Sequence, residues 1–261
     1  MKRMLFILGC CTTFFMGCGS AENAVNFFSL QDDLALGEQV REEIEGDSSD
    51  MIILDSTAYP TIYGYLYSIR DSLLNSGQVR FKTEFPWRIR IIQDDSTLNA
   101  FCAPGGYIYI YTGILKYLEA EDQLAGVLGH EMGHADLRHS TRQLTKMYGV
   151  QTLISLVAGD RALIKQVTSS LIGLSFSRTH EKEADECSVK YLCPTTYNSD
   201  AGALFFEKIS KEEGGRPPEI LSTHPDPGNR IEAYRAHKQT YGCLGAFAQK
   251  ERYQKMIKTL P

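Results

Sequence analysis

His130-Glu131-Met132-Gly133-His134 is the stretch on which the reading of this chain turns. It lies inside Glu121 to His139, which reads as helix. At about 3.6 residues per turn, His130 and His134 share one face and can grip one metal ion, while Glu131 sits beside that face within reach of a metal-bound water. The simplest chemistry for such a pattern is zinc-assisted hydrolysis. A bare HExxH also arises by chance on solvated helices, so the pattern calls for a third ligand.

A catalytic zinc takes three protein ligands and keeps one position open. His139 follows His134 by five residues, an offset that differs from the metzincin third histidine, and no turning glycine precedes it. A structural role is expected for it. The better candidate is Ser177-Arg178-Thr179-His180-Glu181-Lys182-Glu183-Ala184-Asp185, which follows two apolar stretches and predicts a second helix able to lie beside the first. Glu181 and Asp185, spaced i, i+4, share a face, and Glu183 points elsewhere. One carboxylate can take the metal while the other accepts a hydrogen bond from a ligand histidine and fixes its ring.

With these pieces in place the chain resembles the Ste/HtpX-like gluzincin peptidases, and within them the soluble periplasmic BepA/LoiP-like branch. The motifs are Asn99-Ala100-Phe101 with Pro104-Gly105-Gly106, His130 to His134 with Arg138-His139-Ser140, Ser177-Arg178 with Glu181 to Asp185, and His224-Pro225 with Arg230. They fall in the family's order and approximate spacing, over about Leu30 to Ala236. The resemblance implies a zinc endopeptidase with one Zn2+ per subunit, held by His130, His134 and Glu181. It makes Glu131 the catalytic base, gives Asp185 a catalytic or orienting role, and makes Asn99 and Ala100 substrate contacts on a strand near Asn99 to Ile110. It also places His224 and Arg230 beside the site. Either can stabilise an oxyanion, and His224 can instead plug the open zinc position at rest, as the matching loop histidine of the relatives is thought to do.

Composition agrees with a globular enzyme: 43% of residues are hydrophobic and 23% charged. A net charge of -5 provides no electrostatic footprint for nucleic acid. At the N-terminus, Lys2-Arg3 precede an apolar run from Met4 to Met16, too short for a comfortable membrane span and suited to a secretory signal. Gly17-Cys18-Gly19-Ser20 follows and resembles a bacterial lipoprotein cleavage site, although Phe15 and Met16 depart from its usual residues. The expected division is a signal peptide over 1–17, a linker over 18–29 carrying lipidated Cys18, and a metallopeptidase domain over 30–261. The expected place is the periplasmic side of the outer membrane, and the expected substrates are misfolded or unassembled envelope polypeptides. The alternative is a chaperone or adaptor for outer-membrane assembly that cuts rarely. Relatives of the BepA kind carry a helical repeat domain for partners, and the end of this chain at Pro261 leaves no room for one.

Besides Cys18, four cysteines follow the signal: Cys102, Cys187, Cys193 and Cys243. Of their three pairings we favour Cys193 with Cys243, both in the C-terminal region away from the site. Leu30 to Glu45 and Thr61 to Leu74 predict amphipathic helices, the second stopping near Asn75-Ser76-Gly77. Trp87 to Gln93 and Tyr107 to Tyr111 predict strands, with Pro104-Gly105-Gly106 as the turn between them. Beyond Thr112 the chain reads as mostly helical, and Val150 to Phe176, interrupted by Asp160, Arg161 and Lys165, reads as a packed helical hairpin. The fold class is α+β, a mostly helical zincin-type body with a small β-sheet.

Overall fold

The computed structural model describes residues 25–46, 51–211, 219–225 and 228–261. In chain order the elements are α1 (Leu30–Glu45), α2 (Pro60–Leu74), β1 (Arg88–Ile92), β2 (Ala100–Ala103), β3 (Tyr107–Tyr111), α3 (Thr112–Tyr117), α4 (Glu121–Asp136), α5 (His139–Met147), α6 (Val150–Val157), α7 (Arg161–Ile172), α8 (Arg178–Leu192), α9 (Gly202–Lys211), α10 (Ile220–Thr223), α11 (Arg230–Thr240) and α12 (Lys250–Ile257). The fold is α+β and mostly helical, as expected. The signal segment, Cys18 and most of the linker lie outside the described residues.

The sheet is organised by one sequence, Tyr107-Ile108-Tyr109-Ile110-Tyr111. Successive side chains of a strand point to opposite faces. Ile108 and Ile110 therefore enter one core with Ile89 and Ile91 of β1, Ile62, Leu66 and Ile69 of α2, and Leu124, Leu128 and Met132 of α4. The three tyrosines enter a second core with Leu36 and Val40 of α1, Leu153 and Leu156 of α6, and Ile164 and Val167 of α7. The sheet is thus covered on both faces, which explains why β2 and β3 are buried along their whole lengths. The α6–α7 hairpin packs as a core element, and among the described residues no helix is long and apolar enough to cross a membrane.

Two details of the strands differ from the sequence reading. The strand order is β1-β3-β2, with β1 parallel and β2 antiparallel to β3. Pro104-Gly105-Gly106 therefore turns the chain between β2 and β3, and the edge strand is confined to Ala100–Ala103. The short run Ala100-Phe101-Cys102-Ala103 is buried on both faces, so it lacks the polar alternation by which strands are usually read.

The HExxH helix also ends sooner than expected. α4 stops at Asp136, and Arg138 adopts the left-handed conformation, φ 58°. That geometry costs a residue with a side chain about 1–2 kcal/mol. It is offset by the guanidinium, whose Nε donates to Asp33 on α1 and whose Nη2 donates to the Phe28 carbonyl at 2.6 Å. The turn restarts the chain as α5 at His139 and folds that residue back against His134.

Candidate metal centre

α4 can bring chemistry to a point only because α8 lies unusually close to it. The face of α4 towards α8 and α9 carries Gly126, Gly129 and Gly133. A Cβ at Gly129 would lie 3.0 Å from both Ser188 Oγ and Leu192 Cδ1, and one at Gly133 would lie 2.9 Å from Cys187 Cβ and 3.1 Å from the Ala184 carbonyl oxygen. Both are below normal contact distances, so glycine is what permits the approach. Ser188 Oγ donates to the Gly126 carbonyl at 2.8 Å and seals the contact. At its N-terminus α8 is capped by Ser177, which accepts from His180 N–H and sets Glu181 in the first turn.

Four donor atoms converge there: ligating atoms of His130, His134, Glu181 and His224 all lie within 4.8 Å of one another, and all four residues are buried. His130 Nε2 is 3.0 Å from His134 Nε2. The Glu181 carboxylate reaches both imidazoles, at 3.4 Å each.

Contacts behind the donors fix their tautomers. His130 Nδ1 is 2.8 Å from Asp185 Oδ1; a carboxylate only accepts, so this nitrogen carries a proton and Nε2 is the ring atom turned towards the centre. Asp185 in turn accepts from Arg230 Nε at 2.8 Å and Tyr234 Oη at 2.9 Å. Arg230 Nη1 is also 3.2 Å from Glu181 Oε2, so one guanidinium braces both carboxylates. Burial pushes the Asp185 carboxyl upward, but the Arg230 charge and the hydrogen bond to His130 win and hold it below its usual range. His134 Nδ1 faces His139 Nδ1 at 2.9 Å, and burial holds both rings neutral, well below the usual imidazole range. Glu131 is fully buried, neither of its carboxylate oxygens has a hydrogen-bond partner, and burial raises its pKa.

This donor set fits a metal ion. Two imidazole nitrogens 3.0 Å apart face a buried carboxylate, and although burial opposes charge, the hydrogen bonds of Asp185 and Glu181 push His130 up to about 9, so the cluster favours positive charge at its centre. Three imidazoles and a carboxylate suit zinc among the common divalent ions.

His224 caps α10, and its N–H donates to the Ile220 carbonyl at 2.8 Å. Its Nδ1 lies 3.2 Å from His130 Nε2 and 3.2 Å from Glu181 Oε1. The segment that carries it is fastened to the residues just before the edge strand: Ile220 N–H donates to the Leu98 carbonyl at 3.1 Å, and Thr223 Oγ1 donates to Asn99 Oδ1 at 3.3 Å. The same Asn99 oxygen accepts Ala100 N–H at 2.9 Å. Since Tyr111 N–H donates to the Asn99 carbonyl, Asn99 pairs inward to β3 and Ala100 turns its backbone outward. Ala100 therefore presents its backbone at the outward edge of the sheet, and the Asn99 side chain joins that point to the four-donor cluster through Thr223 and His224.

The structure thus gathers His130, His134, Glu181 and His224, sets Glu131 against them, and places Asp185 and Arg230 directly behind. Sequence reasoning did not identify Tyr234, Phe176, which stacks on the His134 ring at 3.9 Å, or the contact of Glu183 with His139. Tyr234 and Phe176 carry no local signal, because distant turns of chain bring them in. The disulfide joins Cys193 to Cys243, as favoured, and leaves Cys102 and Cys187 free.

Comparison with known proteins bears on the same segment. The sequence model of peptidase family M48 matches residues 64–238. The chain is 28% identical over 212 residues to the mitochondrial metalloendopeptidase OMA1 of Schizosaccharomyces pombe, covering 79% of this chain and 61% of that protein. It is 26% identical over 225 residues to the beta-barrel assembly-enhancing protease of Escherichia coli K12, covering 80% of this chain and 44% of that protein. It is 31% identical over 146 residues to OMA1 of Arabidopsis thaliana, covering 55% and 30%. The chain therefore spans less than two thirds of the length of each of these relatives.

Proposed function

Because this chain belongs to peptidase family M48, we propose that it is a zinc-dependent endopeptidase that hydrolyses peptide bonds of misfolded or unassembled polypeptides in the bacterial cell envelope. The observation that carries the reading is the meeting of His130, His134 and Glu181 donors from α4 and α8 around one point, with an unpartnered carboxylate, Glu131, beside it. His130, His134 and Glu181 hold the zinc. Bound zinc supplies Lewis acidity, polarising the scissile carbonyl and making water easier to deprotonate. A Glu131 oxygen takes the proton of the attacking water and returns it to the departing amide nitrogen, and burial tunes that carboxylate for both transfers. Asp185 holds the proton on His130 Nδ1, and Arg230 braces Asp185 and Glu181. An extended substrate adds antiparallel to the outward edge of β2 at Asn99 and Ala100. His224 occupies the fourth donor position at rest, so the protein is latent until the α10 segment lifts.

The envelope assignment draws support from the likeness to a beta-barrel assembly-enhancing protease and from the signal-like sequence over 1–17 with Cys18 at a lipoprotein-like cleavage site. Cys18→Ser is expected to abolish labelling by radioactive palmitate and to release the protein from membranes; an unlabelled wild type removes the anchor. For the activity, purified protein is assayed for zinc content and for casein cleavage. Glu131→Gln should keep its zinc and lose cleavage, because Glu131 is a base and not a ligand, and a chelator should remove both. Full cleavage by Glu131→Gln would sink the mechanism.

A further inference from the structure

We propose that Glu183 and His139 form a relay behind His134 that decides which of its ring nitrogens carries the proton, and so presents His134 Nε2 to the metal centre as a bare donor. The inference rests on the zinc reading above and concerns residues to which that reading gives no part.

His139 Nε2 lies 3.0 Å from Glu183 Oε2. The carboxylate can only accept, so the proton of a neutral His139 sits on Nε2 and its Nδ1 keeps a lone pair. That lone pair faces His134 Nδ1 at 2.9 Å. Two bare nitrogens at that distance repel, so His134 Nδ1 must carry the proton, and its Nε2 is left free towards His130 and Glu181. His130 receives the same service directly from Asp185, at 2.8 Å. α8 therefore sends three carboxylates to one task from two faces. Glu181 enters the centre, Asp185 orders His130, and Glu183, on the other face, orders His134 through one intervening imidazole.

The rings are held so that the relay cannot drift. His134 stacks on Phe176 at 3.9 Å and 19° between planes, and His139 stacks on His180 at 4.2 Å and 12°. Rotating either ring would forfeit both a stack and a hydrogen bond. The placement of His139 depends on the left-handed Arg138, which folds the start of α5 back under the end of α4. His139 is thus a positioning residue acting through His134, and the Arg138-His139 pair in the sequence gains a physical purpose.

The test measures zinc affinity by competition with a chromogenic chelator at fixed pH, together with thermal melting of the metal-free protein. His139→Leu keeps the volume but removes the acceptor. It should bind zinc roughly 10–100-fold more weakly, the usual effect of losing an outer partner of a ligand histidine, with little change in metal-free melting. His139→Asn returns an acceptor near the Nδ1 position and should recover most of the affinity. Glu183→Ala, at a partly exposed site, frees His139 to take either tautomer and should weaken zinc several-fold. Wild-type affinity in His139→Leu, equal loss in His139→Leu and His139→Asn, or unchanged affinity in Glu183→Ala overturns the relay. If His139→Leu fails to fold, Glu183→Ala decides alone. A wild type that binds no zinc overturns the zinc reading and the relay with it, whereas a zinc-binding wild type with unaffected variants removes the relay only.

Discussion

His224 is the residue whose surroundings bear most directly on regulation. Its Nδ1 lies 3.2 Å from His130 Nε2, whereas its Nε2 lies 3.6 Å from Glu131 Oε1 and has no hydrogen-bond partner. An imidazole seated among the ligands takes the place that water and substrate need, so its removal should open the centre and not dismantle it. His224→Ala is expected to keep its zinc and to cleave casein, or itself, faster than wild type. An oxyanion donor behaves oppositely, and its loss lowers cleavage roughly a hundredfold with zinc retained. Unchanged cleavage of both casein and the protein itself would reduce the residue to a packing element of α10. The fastening of Thr223 to Asn99 adds to the case for a plug, because the proposed blocking group is tied to the residues that lead into the edge strand.

The pair α4 and α8 is the element on which all of this depends, and its tolerance is set by two glycines, Gly129 and Gly133. Gly133→Ala puts a methyl 2.9 Å from Cys187 Cβ and 3.1 Å from a backbone oxygen of α8. The backbone cannot swing aside, so the helices must part. Overpacking of this kind costs about 1–3 kcal/mol, and the expected result is a melting temperature lower by roughly 2–10 °C together with weaker zinc binding. Calorimetry and chelator competition check the two. Wild-type zinc affinity in a destabilised Gly133→Ala would mean that donor geometry does not depend on the helix spacing. The same pair shows what the sequence could and could not convey. Both helices were legible, from the His130–His134 and Glu181–Asp185 spacings and from Ser177 as a cap, because those signals are local. α1 and α2 were legible for the same reason. The end of α4 was not, since nothing local marks Arg138 for a left-handed turn; its compensation comes from Asp33, far away in sequence. β2 was hidden because burial on both faces erases alternation, and the Glu183–His139 contact was hidden because it follows from that same turn.

In the whole molecule the disulfide divides the site into two parts with different supports. Cys193 and Cys243, 50 residues apart, close a loop that holds α9, α10 and α11, and therefore His224, Arg230 and Tyr234. The proposed ligands His130, His134 and Glu181 lie outside it, on α4 and on α8 before the closure. Closing a loop of that length removes unfolded-chain entropy worth about 4 kcal/mol in the simple chain model. At about 2–4 °C per kcal/mol for a domain of this size, the double variant Cys193→Ser, Cys243→Ser should melt roughly 8–15 °C below wild type under oxidising conditions. Below its melting temperature it should still bind zinc with near wild-type affinity, because the three proposed ligands lie outside the loop and the buried contacts of Arg230 with Asp185 and Glu181 can form without its closure. Basal casein cleavage should rise, because the loop that holds His224 over the donors is no longer anchored at both ends. Melting curves, chelator competition and casein assays read these outcomes separately. A parallel loss of zinc affinity and stability would show that the C-terminal loop supports the ligand set itself, through Arg230 on Asp185 and Glu181, and not merely the plug above it.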